Sequence, residues 1–294
     1  MQMHRQWPAA DPVAGRIADA RRRAGQYLLG RRSPTGGFCY YRSAYLDEPN
    51  LFDTCHAVAA LALLRVPLPA QESTAAFVIG HEVEAQPYAL YYRTFALAAL
   101  GRDDPARARV EHKVRALAVE PPDPTRGNLS ARLSRLTMVL RLKAHFGLSF
   151  PADVIRQALG ELEHPEGGFG ETPNLQDTRR AVTLLALCGA RAGERTRAFV
   201  DRLAVPGYGF RLTPDSLSPT LDTVCAGIVC CMLLGLPVAH AEDAKSFILA
   251  CQTAHGGFAR APDALPDIGL THLALCGLAA LQDGDGRFLA CDDY

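Results

Sequence analysis

"GGFGETPNLQDTRRAVTLLAL", residues 167–187, sets a glycine pair and an aromatic ahead of a proline turn, then lets Asp177-Thr178 open an apolar stretch with helical spacing. "GGFCYYRSAYLDEPNLFDTCHAVAALALL", residues 36–64, carries the same GGF and the same PNLxDT. Further glycine-aromatic turns stand at Gly207-Tyr208-Gly209-Phe210 and Gly256-Gly257-Phe258. The phenylalanines Phe38, Phe169, Phe210 and Phe258 lie 131, 41 and 48 residues apart. The first gap is three periods of about 44 residues, so two degenerate copies fall inside it and the chain holds six units.

Paired helical signals fill this frame. Apolar residues at i, i+3, i+4 spacing, bounded by proline or glycine, predict outer helices near 12–30, 70–84, 105–118, 152–163, 194–204 and 241–253. Each is followed by a more apolar partner, near 53–66, 89–101, 128–146, 176–190, 221–235 and 267–282. Runs such as "AVAALALL" and "AVTLLALCG" are apolar on nearly every face, and a helix of that kind must be covered on all sides. Alternating amphipathic and apolar helices imply two concentric rings, an all-α (α/α)6 toroid of six helix pairs around a central cavity. The competing reading, an open solenoid, needs polar capping units at both ends. We expect one domain over 1–294, irregular at 1–10 and 284–294.

The 31 basic and 31 acidic side chains cancel, leaving no basic field for nucleic acid. Three of the basic residues are lysines (Lys113, Lys143, Lys245) and the other 28 are arginines, which fits a GC-rich bacterial source. The nine cysteines are odd in number, and Cys188, Cys230, Cys231 and Cys276 lie within apolar helical stretches, where they act as small hydrophobes. No signal-peptide core or membrane-spanning apolar run occurs, so a cytoplasmic protein is expected.

A GGF turn, a proline loop, an Asp-Thr and an Ala/Leu-rich inner helix resemble the prenyltransferase and squalene-cyclase repeat, found in protein prenyltransferase β-subunits and class II terpene cyclases. The resemblance implies the toroid and an isoprenoid or other hydrophobic substrate in its cavity. The reaction it implies is prenyl transfer or acid-initiated cyclisation, and in the transferase case a partner subunit. The same fold also serves non-catalytic binding and scaffold proteins, the alternative from another class.

Protein prenyltransferases hold one zinc through an Asp and a Cys in one repeat and a His in the next. The resemblance puts Asp222, Cys225 and His272 forward as zinc ligands, a donor set that suits the metal. The register departs from the family: Cys225 follows Thr223, and Leu270 stands where the His belongs. Of the family's diphosphate loop only Arg211 is present, and Ala226 replaces its tyrosine. The Asp-x-Asp-Asp acid of class II cyclases is missing, and the only tryptophan is Trp7. The single carboxylates Asp53, Asp177 and Asp222, each directly before a Thr, are the candidate acids.

Read as residues alone, Asp or Thr of PNLxDT is well placed to cap an inner helix. Six inner-helix N-termini around one mouth favour an anion such as a diphosphate. Tyr91, Tyr92 and Arg93 in "PYALYYRTF", with Tyr40, Tyr41, Tyr45 and Tyr88, suit a cation-stabilising wall and a phosphate partner. Arg179 and Arg180 oppose the dipole of the helix they open, so a neighbouring Asp or a bound anion must compensate. Cys55 and His56 diverge by about 100° on a helix, so either needs a partner from another unit.

Overall fold

The structure, a computed structural model, describes residues 12–43, 45–82, 84–123 and 127–283. The terminal segments expected to be irregular, and Trp7, lie outside the described residues. Six helices form the outer ring: α1 (Pro12–Gly30), α3 (Gln71–Gly80), α5 (Arg107–Ala116), α7 (Ala152–Leu162), α9 (Glu194–Arg202) and α11 (Ala241–Ala250). Six form the inner ring: α2 (Leu51–Leu64), α4 (Pro87–Ala99), α6 (Leu129–His145), α8 (Leu175–Leu187), α10 (Leu221–Leu234) and α12 (Ile268–Asp283). Two short hairpins, β1–β2 (Ala204–Val205, Gly209–Phe210) and β3–β4 (Phe258–Ala259, Pro266–Asp267), precede the last two inner helices.

Each inner helix packs on the next, and α12 packs back on α2. That last contact makes the architecture a closed ring rather than a solenoid. Outer helices bury narrow stripes, Val110 and Val114 on α5 or Ile155 and Leu159 on α7, as i,i+4 spacing dictates. Inner helices α2 and α10 are buried along most of their length. All eight described cysteines are free and buried.

The GGF units are the joints. Phe38, Phe169, Phe210 and Phe258 are fully buried plugs. In three units the phenylalanine N–H donates to an inner-helix threonine: Thr54 at 2.9 Å, Thr178 at 3.0 Å and Thr271 at 2.9 Å. Each hydroxyl in turn donates to a carbonyl at its own helix start, Asn50, Asn174 or Asp267, at 2.6–2.7 Å. The cap itself corrects the sequence reading: Asn50 and Asn174, not the Asp or Thr, occupy the N-cap of α2 and α8, accepting from the Asp53 and Asp177 N–H groups. The asparagine sits one turn earlier, where the backbone is still extended and its side chain reaches the third helical N–H; such a cap contributes about 1 kcal/mol.

The glycine that opens each joint lets two backbones touch. Gly167, at φ 86°, has no room for a Cβ because the Arg195 carbonyl of α9 lies against it. Gly256, at φ 91°, is pressed in the same way on Arg23 of α1, so the sixth joint packs on the first outer helix.

Candidate active site

The three repeated aspartates all lie in the first turn of an inner helix and meet different surroundings: Asp53 and Asp177 are the third residue of α2 and α8, whereas Asp222 is the second of α10 and so points about 100° away from their position. Asp177 forms an ion pair with Arg180 at 2.9 Å, and both side chains are largely buried. Arg180 also donates to Ser130 of α6 at 2.7 Å. The charge that opposed the helix dipole is therefore answered by the neighbouring carboxylate. Arg179, about 100° around the helix, is buried, and its charge reaches Cys230 of α10. Asp222 accepts from Gln176 of α8 at 3.3 Å and has Arg260 at 3.7 Å.

Asp53 has no such cation. It is 2% exposed, and Asn50 Nδ2 donates to its Oδ2 at 2.6 Å. Among the described residues no cationic group stands within ion-pair distance of it, and its Oδ1 has no partner of hydrogen-bond geometry. The Tyr40 backbone and the more distant Arg31 charge favour the anion. Burial pushes the carboxyl up to about 6; the Asn50 bond opposes this and the Asp267 charge adds to it.

Beside Asp53 runs an aromatic wall built by α2, α4 and α12. Tyr88 and Tyr92 lie 4.5 Å apart between ring centroids, Tyr92 and Phe52 5.1 Å, and Phe52 and His56 4.5 Å. Tyr88, half exposed at the rim of the wall, is raised in pKa by burial and then by the Asp53 charge. Tyr91 continues the wall to Phe95 at 4.6 Å and accepts from Arg141 of α6 at 3.4 Å.

His56 meets His272 of α12, Nδ1 to Nδ1, at 3.0 Å. That contact is a hydrogen bond when one nitrogen carries the proton and the other offers its lone pair. Burial first, and the other imidazole second, hold His56 well below its usual range and so neutral. His56 thus finds its partner in another unit, 216 residues away. No spacing rule reaches that far, and the pair is the main element of the site that the sequence reading missed.

Two expectations need correction. Arg93 is not a ligand-facing group: it is 2% exposed, pairs with Asp104 through Nε at 2.7 Å and Nη2 at 2.8 Å, and gives Nη1 to the Val78, Ile79 and His81 carbonyls. Its guanidinium fastens the C-terminal end of α3 to α4. Nor are Asp222, Cys225 and His272 gathered into a zinc site. Asp222 accepts from Gln176 of α8, Cys225 Sγ donates to the Leu273 carbonyl at 3.7 Å, and His272 meets His56 of α2. Among the described residues no three His, Cys, Asp or Glu side chains stand close enough to hold an ion. The departure in register already visible in the sequence has this physical result, since one residue of shift turns a side chain about 100°.

A family model for the prenyltransferase alpha-alpha toroid domain matches residues 14–86 and 84–289. The chain belongs to that family. It is 31% identical over 133 residues to the protein farnesyltransferase subunit beta of Pisum sativum, a match covering 42% of this chain and 31% of that protein. The matched stretch thus spans about a third of that relative's length. Among solved structures the toroid resembles Candida albicans protein geranylgeranyltransferase-I complexed with GGPP, at TM-score 0.59 and 15% identity over 80% of this chain and 84% of that one. It also resembles the type II terpene cyclase MstE from Scytonema, as the R337A variant complexed with geranylgeranyl dihydroxybenzoate, at TM-score 0.56 and 14% identity over 84% and 82% of the two chains. At these identities the likeness is one of fold. No described helix of the toroid is long and apolar enough to cross a membrane.

Proposed function

We propose that this toroid is an isoprenoid-processing enzyme whose reaction starts when Asp53 protonates a double bond of the substrate. The carrying observation is that Asp53 alone among the three repeated aspartates lacks a cation partner among the described residues, so its carboxyl is the one available as an acid near neutral pH. The proton leaves Asp53 for one alkene carbon, the π pair forms the new C–H bond, and positive charge appears on the neighbouring carbon. The rings of Phe52 and Tyr88, backed by the buried Tyr92, then hold that charge as ring closure consumes further π pairs. Loss of a proton from carbon to the imidazole of His56, which burial keeps neutral and which faces His272, restores a double bond, and solvent resets both acid and base. The product is an isomer of the substrate. Asp177 stays paired with Arg180 and braces the opposite wall rather than delivering protons.

Prenyl transfer is the second reading, favoured by the stretch shared with the farnesyltransferase β-subunit. It calls for an isoprenoid diphosphate and a partner subunit, and it would have to proceed without a zinc set of Asp222, Cys225 and His272. Turnover of an acyclic polyprenyl substrate in D2O separates the two. Acid initiation puts one deuterium on carbon in the product and releases no diphosphate. Diphosphate release with no deuterium on carbon refutes the Asp53 mechanism.

A further inference from the structure

Where the ring closes, a cleft of about 510 Å³ opens between the C-terminal end of α1, the loop before α2 and the β3–β4 hairpin. Tyr27, Arg31, Tyr40, Tyr41, Arg42 and His255 line it, and none of them belongs to the aromatic wall or the histidine pair. Its volume lies in the range of small-molecule sites.

The centre of the cleft is Arg31. Its guanidinium lies over the Tyr27 ring at 4.8 Å and the Tyr41 ring at 5.7 Å, which hold its plane in place. Among the described residues no carboxylate stands within ion-pair distance of it, whereas Arg42 is taken by Asp47 at 3.1 Å. Tyr40 and Tyr41 are each 56% exposed and leave ring surface open, and Leu265, 84% exposed, adds an apolar edge. Burial pushes the Tyr27 hydroxyl up to about 12 against the opposing charge and hydrogen bond of Arg31, and the Asp267 and Asp53 charges add to the rise.

These features select among anions. A fixed guanidinium takes a carboxylate or a phosphate through parallel N–H donors. The open tyrosine faces reward only a ligand with a flat apolar body. The Asp53 and Asp267 charges felt at Tyr27 repel a multiply charged phosphate more than a single negative charge. We propose that this cleft binds a small aromatic carboxylate, its ring on the exposed tyrosines and its carboxylate on Arg31. The binding stands by itself; a role for that molecule as acceptor or head group at the toroid mouth rests on the isoprenoid reading.

Titration calorimetry of the full chain with benzoate, cyclohexanecarboxylate and inorganic phosphate tests the site without any turnover assay. Benzoate should bind, cyclohexanecarboxylate about fivefold more weakly for want of stacking, and phosphate not at all. Arg31→Gln should weaken benzoate binding by about tenfold or more and Tyr41→Leu by about fivefold. Asp53→Asn should keep benzoate binding even where turnover is lost, which separates failure of the acid mechanism from failure of the cleft. No benzoate binding to the native chain overturns the proposal, as does phosphate binding more tightly than benzoate. So does unchanged benzoate affinity in Arg31→Gln; if that variant does not fold, unchanged affinity in Tyr41→Leu, a half-exposed position, overturns it instead.

Discussion

Replacing Asp53 by Asn should make the protein more stable and less active together, and the size of the first effect follows from burial. The native carboxyl ionises near 6, against an ordinary value of 3.8. The raised value means that the folded state holds the proton more tightly than the unfolded one. The penalty for the buried anion is therefore small below the unfolded pKa, grows as pH rises from about 4 to about 6, and is constant above that. At 1.36 kcal/mol per pKa unit it reaches about 3 kcal/mol at pH 7.5 but about 1 kcal/mol at pH 4.5. Asn is nearly isosteric and never ionises. Urea unfolding of native protein and Asp53→Asn at the two pH values isolates the difference, because titrating groups not coupled to Asp53 cancel between the variants. The variant should gain about 2 kcal/mol more at pH 7.5 than at pH 4.5. A difference that does not change with pH, or one that grows toward acid, refutes the assignment of a raised carboxyl with no ion-pair partner. Turnover should fall by a factor of about 100 or more while the fold is kept, the loss general acid catalysis commonly represents.

Arg93→Ala should cost about 3–5 kcal/mol, since it strands Asp104 in a site from which the opposing charge has been removed; a drop in turnover at unchanged melting temperature would instead make Arg93 a ligand group. Thr178→Val removes the hydroxyl that joins Phe169 to the Asn174 carbonyl and should cost about 1–3 kcal/mol in chemical unfolding, with no cost contradicting the joint. Activity should survive exhaustive chelation, and restoration of a chelated, inactive enzyme by zinc would refute the separation of Asp222, Cys225 and His272.

The toroid was legible because repetition is a one-dimensional signal. Gly167 and Gly256 mark the same close backbone approach in two units, and the apolar inner helices announce burial on all faces before any contact is known. The Asn50 and Asn174 caps were present in the PNLxDT motif, but the neighbouring Asp and Thr offer the same hydrogen-bonding chemistry, and only backbone geometry tells the three apart. Arg93 looked like a phosphate ligand because its sequence neighbours are tyrosines; its true partner, Asp104, comes from the next connection.

From the sequence alone came the number of units, the two rings, the approximate span of all twelve helices among the described residues, and the aspartates that head the inner ring. Tertiary structure decided which aspartate keeps an acidic proton, that His56 and His272 share a hydrogen bond, and that Arg31 lies between two tyrosines at the closing joint. The division has a physical cause. Helix periodicity and turn chemistry act over a few residues and leave a pattern in the chain, whereas a pKa or a proton-sharing pair is set by what ring closure brings within a few ångströms, from positions more than two hundred residues apart.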